Sequence, residues 1–408
     1  MDVKLKKYAR LLIETGLNLQ KGQTLVISAP VDCASFVRLC ASAAYDLGCR
    51  EVVTRWGDDF LTREKYLRGD SAIFDEVPEW LSRFHNDYSE GGAAWLSIHA
   101  SDPEALKGVD PERIRRSSIA SGKALEPFRR RQMTNFFPWC VASVPTLAWA
   151  EKVFPDLKGE AAMNALWEAI LKAVRVTDEG DPIKLWEEHR RKLTERKNKL
   201  NAWQFKALRY KNSLGTDLTV GMPKNHFWEG GGETTLGGID FCANIPTEEV
   251  FSAPKRDEVN GVVFASKPLV LGGNIVDGFR LEFKDGRVVK AYAETGQEFL
   301  DSQLSVDEGA AYLGEVALVP FDSPISNTGI LFYNTLFDEN ASCHFALGEA
   351  YPCIENGAKM SKEELKAAGL NDSITHVDFM VGTPDLSITG ITWEEEEVPV
   401  FVNGNFAY

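Results

Sequence analysis

Cysteine and histidine are scarce in this chain, and the cysteines form no local motif. There are seven cysteines and six histidines among 408 residues, and no two cysteines show the C-x-x-C spacing of zinc or redox sites. An odd number of scattered cysteines argues against a disulfide framework and against a thiolate zinc site. We therefore expect the cysteines to be small buried hydrophobic residues.

Basic residues and long apolar runs are also in short supply. Lysine and arginine number 45 against 60 acidic residues, a formal net charge of -15, which disfavours nucleic acid and anionic membrane surfaces as partners and suits a site that collects cations. No run approaches the 18 or so apolar residues of a membrane span, and the N-terminus is typical of an amphipathic helix, not of a signal peptide. These patterns predict a cytoplasmic protein with no membrane partner.

Glycine-rich phosphate loops are missing from the first half, although its layout resembles a nucleotide-binding domain. Residues 23–30 and 50–58 are typical of buried strands, and residues 33–48 between them of a helix. This alternation predicts a mostly parallel sheet covered on both faces. Neither G-x-G-x-x-G nor G-x-x-x-x-G-K-[ST] follows a predicted strand. We expect residues 1–200 to form a Rossmann-like α/β domain that serves as a scaffold.

The second half has a different pattern, with short alternating runs separated by turns. Asp285-Gly286 lies between two such runs and predicts a type I′ hairpin. Ser361 and Glu364 predict a capped helix that ends at Gly369. Since 408 residues exceed one ordinary core, we expect a second domain, residues 201–408, of α+β class with a mainly antiparallel sheet.

Candidate ligands for metal ions lie in this second half. His376 and Asp378 are two residues apart in a predicted strand and therefore project from the same face. An isolated H-x-D is more often an ordinary surface pair than a site. His344 lies in a stretch of small, acidic and glycine residues, for which we expect a structured loop, where functional side chains concentrate.

Three glutamates extend the candidate set. Glu248 and Glu249 lie between two prolines, and Glu315 stands at the head of an apolar strand, where a carboxylate is costly unless it is paired or metal-bound. Two or three glutamates, two histidines and one aspartate suit two divalent ions about 3.5 to 4 Å apart, bridged by one carboxylate. A two-metal phosphoesterase and a catalytically silent binding protein stay open as alternatives, although no basic cluster suited to phosphate accompanies these motifs.

Four stretches of the second half are long and rich in uncommon residues: NIPTEEVFSAP, LGEVALVP, NTLFDENASCHFALGEAYP and HVDFMVG. In this order and at these separations they resemble the thermophilic-aminopeptidase family of metallopeptidases, of the aminopeptidase T and aminopeptidase S type. The resemblance covers essentially the whole second half, and the first half matches the family in length and layout.

The resemblance implies an exopeptidase that removes N-terminal residues from peptides by means of two divalent ions, zinc or cobalt. It also implies a homodimer in which the N-terminal domain forms part of the wall of an enclosed interior. Glu315 would be the bridging carboxylate, Tyr351 would assist the oxyanion, and Glu248 would be a general base or an anchor for the amino group. The metal ligands that it implies are Glu249, Glu315, His344, His376 and Asp378.

Overall fold

The computed structural model describes all 408 residues, and the packing of the chain divides them into two compact units. Unit 1 comprises residues 1–192, 231–247 and 330–336, and unit 2 comprises residues 193–230, 248–329 and 337–408. The first stretch of unit 1 ends eight residues before the predicted boundary at residue 200. The two later segments of unit 1 had no signal in the sequence pattern.

Unit 1 alternates helices and strands through most of its length. None of the helices in the chain combines the length and the apolar character needed to cross a bilayer. The elements up to residue 203 are α1 Asp2–Leu11, β1 Thr24–Pro30, α2 Ala34–Asp46, β2 Glu51–Gly57, α3 Asp59–Arg68, α4 Glu79–Glu90, β3 Ala94–Ile98, α5 Pro111–Ala124, α6 Glu126–Met133, β4 Trp139–Ala142, α7 Leu147–Val153, α8 Glu160–Ala173 and α9 Pro182–Trp203.

The four-stranded sheet of unit 1 is parallel throughout, with the order β2-β1-β3-β4. Strands β1 and β3 are almost wholly buried, as their continuous apolar runs predict. The edge strand β2 is largely exposed, so the expectation that both faces are covered along the whole sheet is wrong there. Because an edge strand is flanked by only one neighbour, its apolar residues pack less completely than those of the central strands.

The rest of the chain is mainly antiparallel. The Asp285-Gly286 turn has positive φ at both residues, as a type I′ hairpin requires, and Ser361 and Glu364 form the predicted capping box. The elements are β5 Ala207–Lys211, β6 Asp217–Gly221, β7 Glu233–Thr234, β8 Asp240–Phe241, β9 Val250–Ser252, β10 Val259–Phe264, β11 Leu269–Leu271, β12 Asn274–Val276, β13 Arg280–Lys284, β14 Arg287–Tyr292, α10 Gln297–Leu304, β15 Leu313–Leu318, α11 Thr335–Glu339, β16 His344–Gly348, α12 Lys362–Ala367, β17 His376–Met380, β18 Ser387–Ile391, β19 Glu397–Val402 and β20 Asn405–Phe406.

Unit 2 contains an eight-stranded sheet, β14-β13-β10-β6-β5-β18-β19-β20, and a four-stranded sheet, β17-β16-β15-β9. One face of the smaller sheet packs into the main hydrophobic core through Val316, Phe345 and Phe379. Because side chains alternate along a strand, the residues directly before and after each of these three project from the opposite face of the sheet. A parallel-sheet α/β unit and a separate antiparallel α+β unit confirm the predicted fold class.

Candidate metal centre

The candidate ligands of β15, β16 and β17 project from one face of the four-stranded sheet. Glu315 pairs across the ladder with Ala346, and Ala346 pairs with Asp378. Glu315 and Asp378 therefore flank the small side chain of Ala346, which leaves space between them. The H-x-D pair lies in a strand as predicted, with His376 at the first position of β17.

His344 is the first residue of strand β16 and is 1% exposed. The expectation that it lies in a loop is therefore wrong. The acidic residues before it end helix α11, and the small residues that follow them form the turn before β16. Gly348 is the last residue of the strand, not part of a loop around the histidine. The histidine is placed by the ladder, opposite Met380 of β17.

A β-bulge at Gly314 sets the direction of Glu315. The pairing of β15 with β16 shifts register between Leu313 and Glu315, and a bulge re-aims the side chains that follow it. A Cβ atom at Gly314 would lie 2.4 Å from the carbonyl oxygens of both Gly348 and Glu349. Only glycine allows this approach, so the orientation of Glu315 depends on its neighbour.

Glu315 lies between the two histidines and directs one carboxylate oxygen toward each. Its Oε1 is 3.6 Å from Nε2 of His344, and its Oε2 is 3.3 Å from Nε2 of His376. Each histidine also faces a second carboxylate: Glu249 Oε2 lies 3.1 Å from His344, and Asp378 Oδ1 lies 3.4 Å from His376. Two ligand groups result, and Glu315 is the member that they share.

Both histidines are held by hydrogen bonds from Nδ1 to the backbone. Nδ1 of His344 lies 3.0 Å from the carbonyl oxygen of Glu339 and 3.1 Å from that of Ser342, and Nδ1 of His376 lies 2.7 Å from that of Glu349. A carbonyl oxygen only accepts, so Nδ1 is the donor in each ring. Nε2 therefore faces the carboxylates and is the atom available to a metal ion.

The sequence reasoning missed Glu339 as a member of this centre. Its carboxylate, with His344 and Asp378, forms a third group whose ligand atoms lie within 4.8 Å of one another. Glu339 ends helix α11 and is 7% exposed. A signal was present, since it is an acidic residue five positions before His344 inside one of the motifs. No simple strand or helix spacing connects the two residues, because a turn separates them.

The electrostatics of the centre show a deficit of positive charge. Burial raises the pKa of Glu339 well above its ordinary value, and repulsion from Asp378 and Glu249 adds to this shift. Burial would also raise the pKa of Glu315, but hydrogen bonds from His344 and His376 outweigh it and hold that pKa at about 2. Burial opposes the charge of both histidines, yet the adjoining carboxylates raise both pKa values well above the ordinary value.

Asn340 joins two of the segments that carry ligands. It is fully buried, its Oδ1 accepts a hydrogen bond of 2.7 Å from the backbone N–H of Glu248, and its Nδ2 lies 3.3 Å from Oε1 of Glu339. The residue after Glu248 is Glu249, so one amide side chain ties that glutamate to the end of α11. Such contacts behind the ligands orient them for a metal ion.

The two adjacent glutamates, Glu248 and Glu249, have different surroundings in the structure. Glu249 lies in the group with Glu315 and His344, whereas Glu248 belongs to none of the three groups. Glu248 is 3% exposed, and its carboxylate attracts the guanidinium of Arg196. This placement favours Glu249 as the ligand.

Tyr351 lies against the edge of the centre. Its ring packs at 78° to the ring of His376, with the centroids 5.5 Å apart, and it also contacts Phe251. Such a T-shaped contact is favourable for aromatic pairs. The structure thus places the ring of Tyr351 beside a candidate ligand, and the role that the family resemblance implies for its hydroxyl stays a prediction.

The donor set fits divalent metal ions. Imidazole nitrogen and carboxylate oxygen are the ligands that zinc and related ions accept. Oδ1 of Asp378 is buried, and its one neighbour of opposite charge is Nε2 of His376, which lies 3.4 Å away without a well-formed hydrogen bond, although a buried carboxylate oxygen normally has a hydrogen-bond partner. A cation among these carboxylates would supply a closer partner and balance their negative charge.

Comparison with known proteins identifies the family of the chain. The sequence model of the thermophilic metalloprotease family M29 matches residues 1–406 of the chain. The chain is 47% identical to aminopeptidase AmpS of Bacillus subtilis, over 99% of the chain and 98% of that protein, and 48% identical to aminopeptidase 2 of Geobacillus stearothermophilus, over 100% and 98%. The solved structure of wild-type AmpT from Thermus thermophilus superposes with a TM-score of 0.90 at 40% identity and covers all of both chains. The chain therefore belongs to the thermophilic metalloprotease family M29.

Proposed function

We propose that the protein removes N-terminal amino acids from peptides by means of two divalent ions held by the cluster around Glu315. The family and the relatives of the chain show that it is a metallo-aminopeptidase. The observation that supports a two-metal centre is that Glu315 is shared by two ligand groups, each with its own histidine and a further carboxylate.

Five residues are proposed as the principal ligands, with a sixth beside them. Zinc or cobalt suits a set of imidazole and carboxylate donors. Such ions would supply Lewis acidity and a water molecule of lowered pKa. The principal ligands are Glu249, Glu315, His344, His376 and Asp378, and the additional one is Glu339.

The other residues of the centre are proposed to act on the substrate. The hydroxyl of Tyr351 would donate a hydrogen bond to the oxygen of the scissile carbonyl, where negative charge develops during attack. Glu248 is proposed as a general base or as an anchor for the free α-amino group, with its charge balanced by Arg196. The side chains of Tyr351 and Glu248 lie beside the ligands, and neither belongs to the three ligand groups.

Two further properties are proposed from the family resemblance and the thiols. All seven cysteines are free and buried, which suits a reducing compartment such as the cytoplasm. The family resemblance supports a homodimer in which unit 1 forms part of the wall around the active sites. Sedimentation of the purified protein at several concentrations tests the dimer, and a single monomer mass at all of them would exclude it.

The deciding experiment for the function combines metal analysis with an assay. The purified protein is analysed for metal per chain, and hydrolysis of leucine p-nitroanilide and of p-nitrophenyl phosphate is measured before chelation, after chelation, and after zinc or cobalt is restored. We expect two ions per chain and metal-dependent release from the aminoacyl substrate alone. Cleavage of only the phosphoester would replace the proposal with a phosphoesterase, and one ion per chain in the fully active enzyme would refute the two-metal centre.

A further inference from the structure

Asn371 is a buried asparagine whose amide bonds to segments that are distant in sequence. It is 4% exposed. Its Nδ2 donates to the carbonyl oxygen of Gly348 at 2.6 Å and to that of Gly309 at 2.8 Å, and its Oδ1 accepts from Nε of Arg256 at 3.1 Å. Because a carbonyl oxygen only accepts and a guanidinium only donates, these partners allow the amide a single orientation.

The backbone of Asn371 holds the same stretch of chain at a second point. Its carbonyl oxygen accepts from the N–H of Ala350 at 3.1 Å, two residues after Gly348. The residue between them is Glu349, whose N–H donates to the carbonyl oxygen of Thr375 at 2.7 Å. Three successive residues are thus fixed by hydrogen bonds, and Asn371 accounts for the first and the last of them.

Glu349, the middle residue of this stretch, orients a candidate ligand through its carbonyl oxygen. Nδ1 of His376 donates to that oxygen at 2.7 Å. The opposite ring atom, Nε2, lies 3.3 Å from Oε2 of Glu315 and 3.4 Å from Oδ1 of Asp378. Since metal ions accept ligand distances within about 0.2 Å of their preferred values, a small displacement of the carbonyl of Glu349 would turn Nε2 away from its working position.

The other histidine of the centre takes its backbone support from elsewhere. Nδ1 of His344 bonds to the carbonyl oxygens of Glu339 and Ser342, which precede β16. Loss of the Asn371 amide should therefore move His376 and leave His344 in place. We propose that Asn371 is a positioning residue that keeps His376 directed at the metal centre and thereby sets the affinity for one of the two ions.

Arg256 fixes the amide of Asn371 in turn. Its guanidinium lies 3.7 Å from the centre of the Tyr312 ring and donates to Oε1 of Glu308 at 2.8 Å. A guanidinium over an aromatic face is attracted to it, so Arg256 has contacts of its own that keep Nε beside Oδ1 of Asn371. The pair therefore offers two independent positions at which the support of His376 can be weakened.

The first test changes the amide to a carboxylate. Asn371→Asp keeps the shape but removes both donors, so an oxygen faces the carbonyl oxygens of Gly309 and Gly348. Zinc binding to the full-length protein is measured by competition with a chelator. Binding of one ion should weaken about 10- to 100-fold, the range for loss of a contact that supports a metal ligand, and binding of the other should change less than about threefold. Unchanged binding, or an equal loss for both ions, would overturn the proposal.

This inference rests on the proposed two-metal function, and a second readout separates the failure of one from the failure of the other. With isotopically labelled histidine, the Nδ1–H signals of His376 and His344 are observed by NMR at saturating zinc, and His376→Gln assigns the first. In Asn371→Asp the His376 signal should shift and the His344 signal should persist; an unchanged His376 signal would overturn the proposal. If the wild type binds fewer than two zinc ions, the proposed function fails, and the His376 signal still decides the role of Asn371.

Two further variants complete the test. Arg256→Met keeps the apolar stem and removes the donor to Oδ1, so the same ion should bind about 3- to 10-fold more weakly, as for loss of one hydrogen bond. This variant decides the question if Asn371→Asp does not fold, and unchanged binding of both ions would then refute the proposal. The matched control is Asn274→Asp, at an asparagine of β12 that is 5% exposed and donates to the carbonyl oxygen of Gly272 at 3.2 Å. It should leave both affinities unchanged.

Discussion

Glu315→Gln removes one charge from the residue that both ligand groups share. The amide has nearly the same shape, so the strand and the bulge before it should persist. Loss of a contact that merely supports a metal ligand costs about 10- to 100-fold in metal affinity, and loss of the ligand charge itself should cost at least as much at each site. Because Glu315 faces both histidines, the fraction of chains that hold both ions should fall by at least about 100- to 10,000-fold at limiting metal.

The assay measures metal content and turnover on the same sample. Wild type and Glu315→Gln are dialysed against a zinc buffer of fixed free concentration, and metal per chain and hydrolysis of leucine p-nitroanilide are then determined. Turnover should fall in parallel with the loss of both ions. Near wild-type turnover with full metal content in the variant would refute the bridging role. Glu394→Gln changes an exposed glutamate by the same chemistry and should behave as the wild type.

Three further predictions concern the surroundings of the ligands. Asn340→Asp keeps the acceptor for the N–H of Glu248 but places a carboxylate against Glu339. The affinity for metal, measured by competition with a chelator, should therefore change by about 10-fold or more. An unchanged affinity would contradict the positioning role of Asn340. Gly314→Ala forces a Cβ atom against two carbonyl oxygens and should lower the free energy of unfolding by about 1–3 kcal/mol in denaturant titration, whereas Gly57→Ala, where nothing lies within 4 Å, should not. Zinc uptake by the metal-free protein near pH 7 should release protons, because the raised pKa values of His344 and His376 keep both rings protonated until an ion binds. The affinity for zinc should therefore rise with pH. Heats of binding that do not depend on the ionisation enthalpy of the buffer would contradict the release of protons.

The parts of the centre that follow from local periodicity were predictable from the sequence. His376 and Asp378 share a face because strand side chains alternate, and Glu315 was recognisable as a carboxylate in an apolar strand. The hairpin at Asp285-Gly286 is equally local, since the φ values that the turn requires restrict the residues that can occupy it.

The remaining parts depend on contacts that no local pattern encodes. The placement of Glu249 in the ligand group follows from the tie between the backbone of Glu248 and Asn340, which lies 92 positions further along the chain. Glu339 reaches the centre across a turn. Tertiary packing determines such positions, so propensity and spacing say little about them.

The backbone carbonyls that hold the two imidazoles have a consequence for how the enzyme can vary. The carbonyl oxygens of Glu339, Ser342 and Glu349 orient His344 and His376, and every amino acid possesses such an oxygen. A change of side chain at Ser342 or Glu349 therefore leaves the acceptor in place, provided that the local backbone keeps its path. The orientation of both imidazoles is in this respect insensitive to substitution, and it exists before any ion arrives.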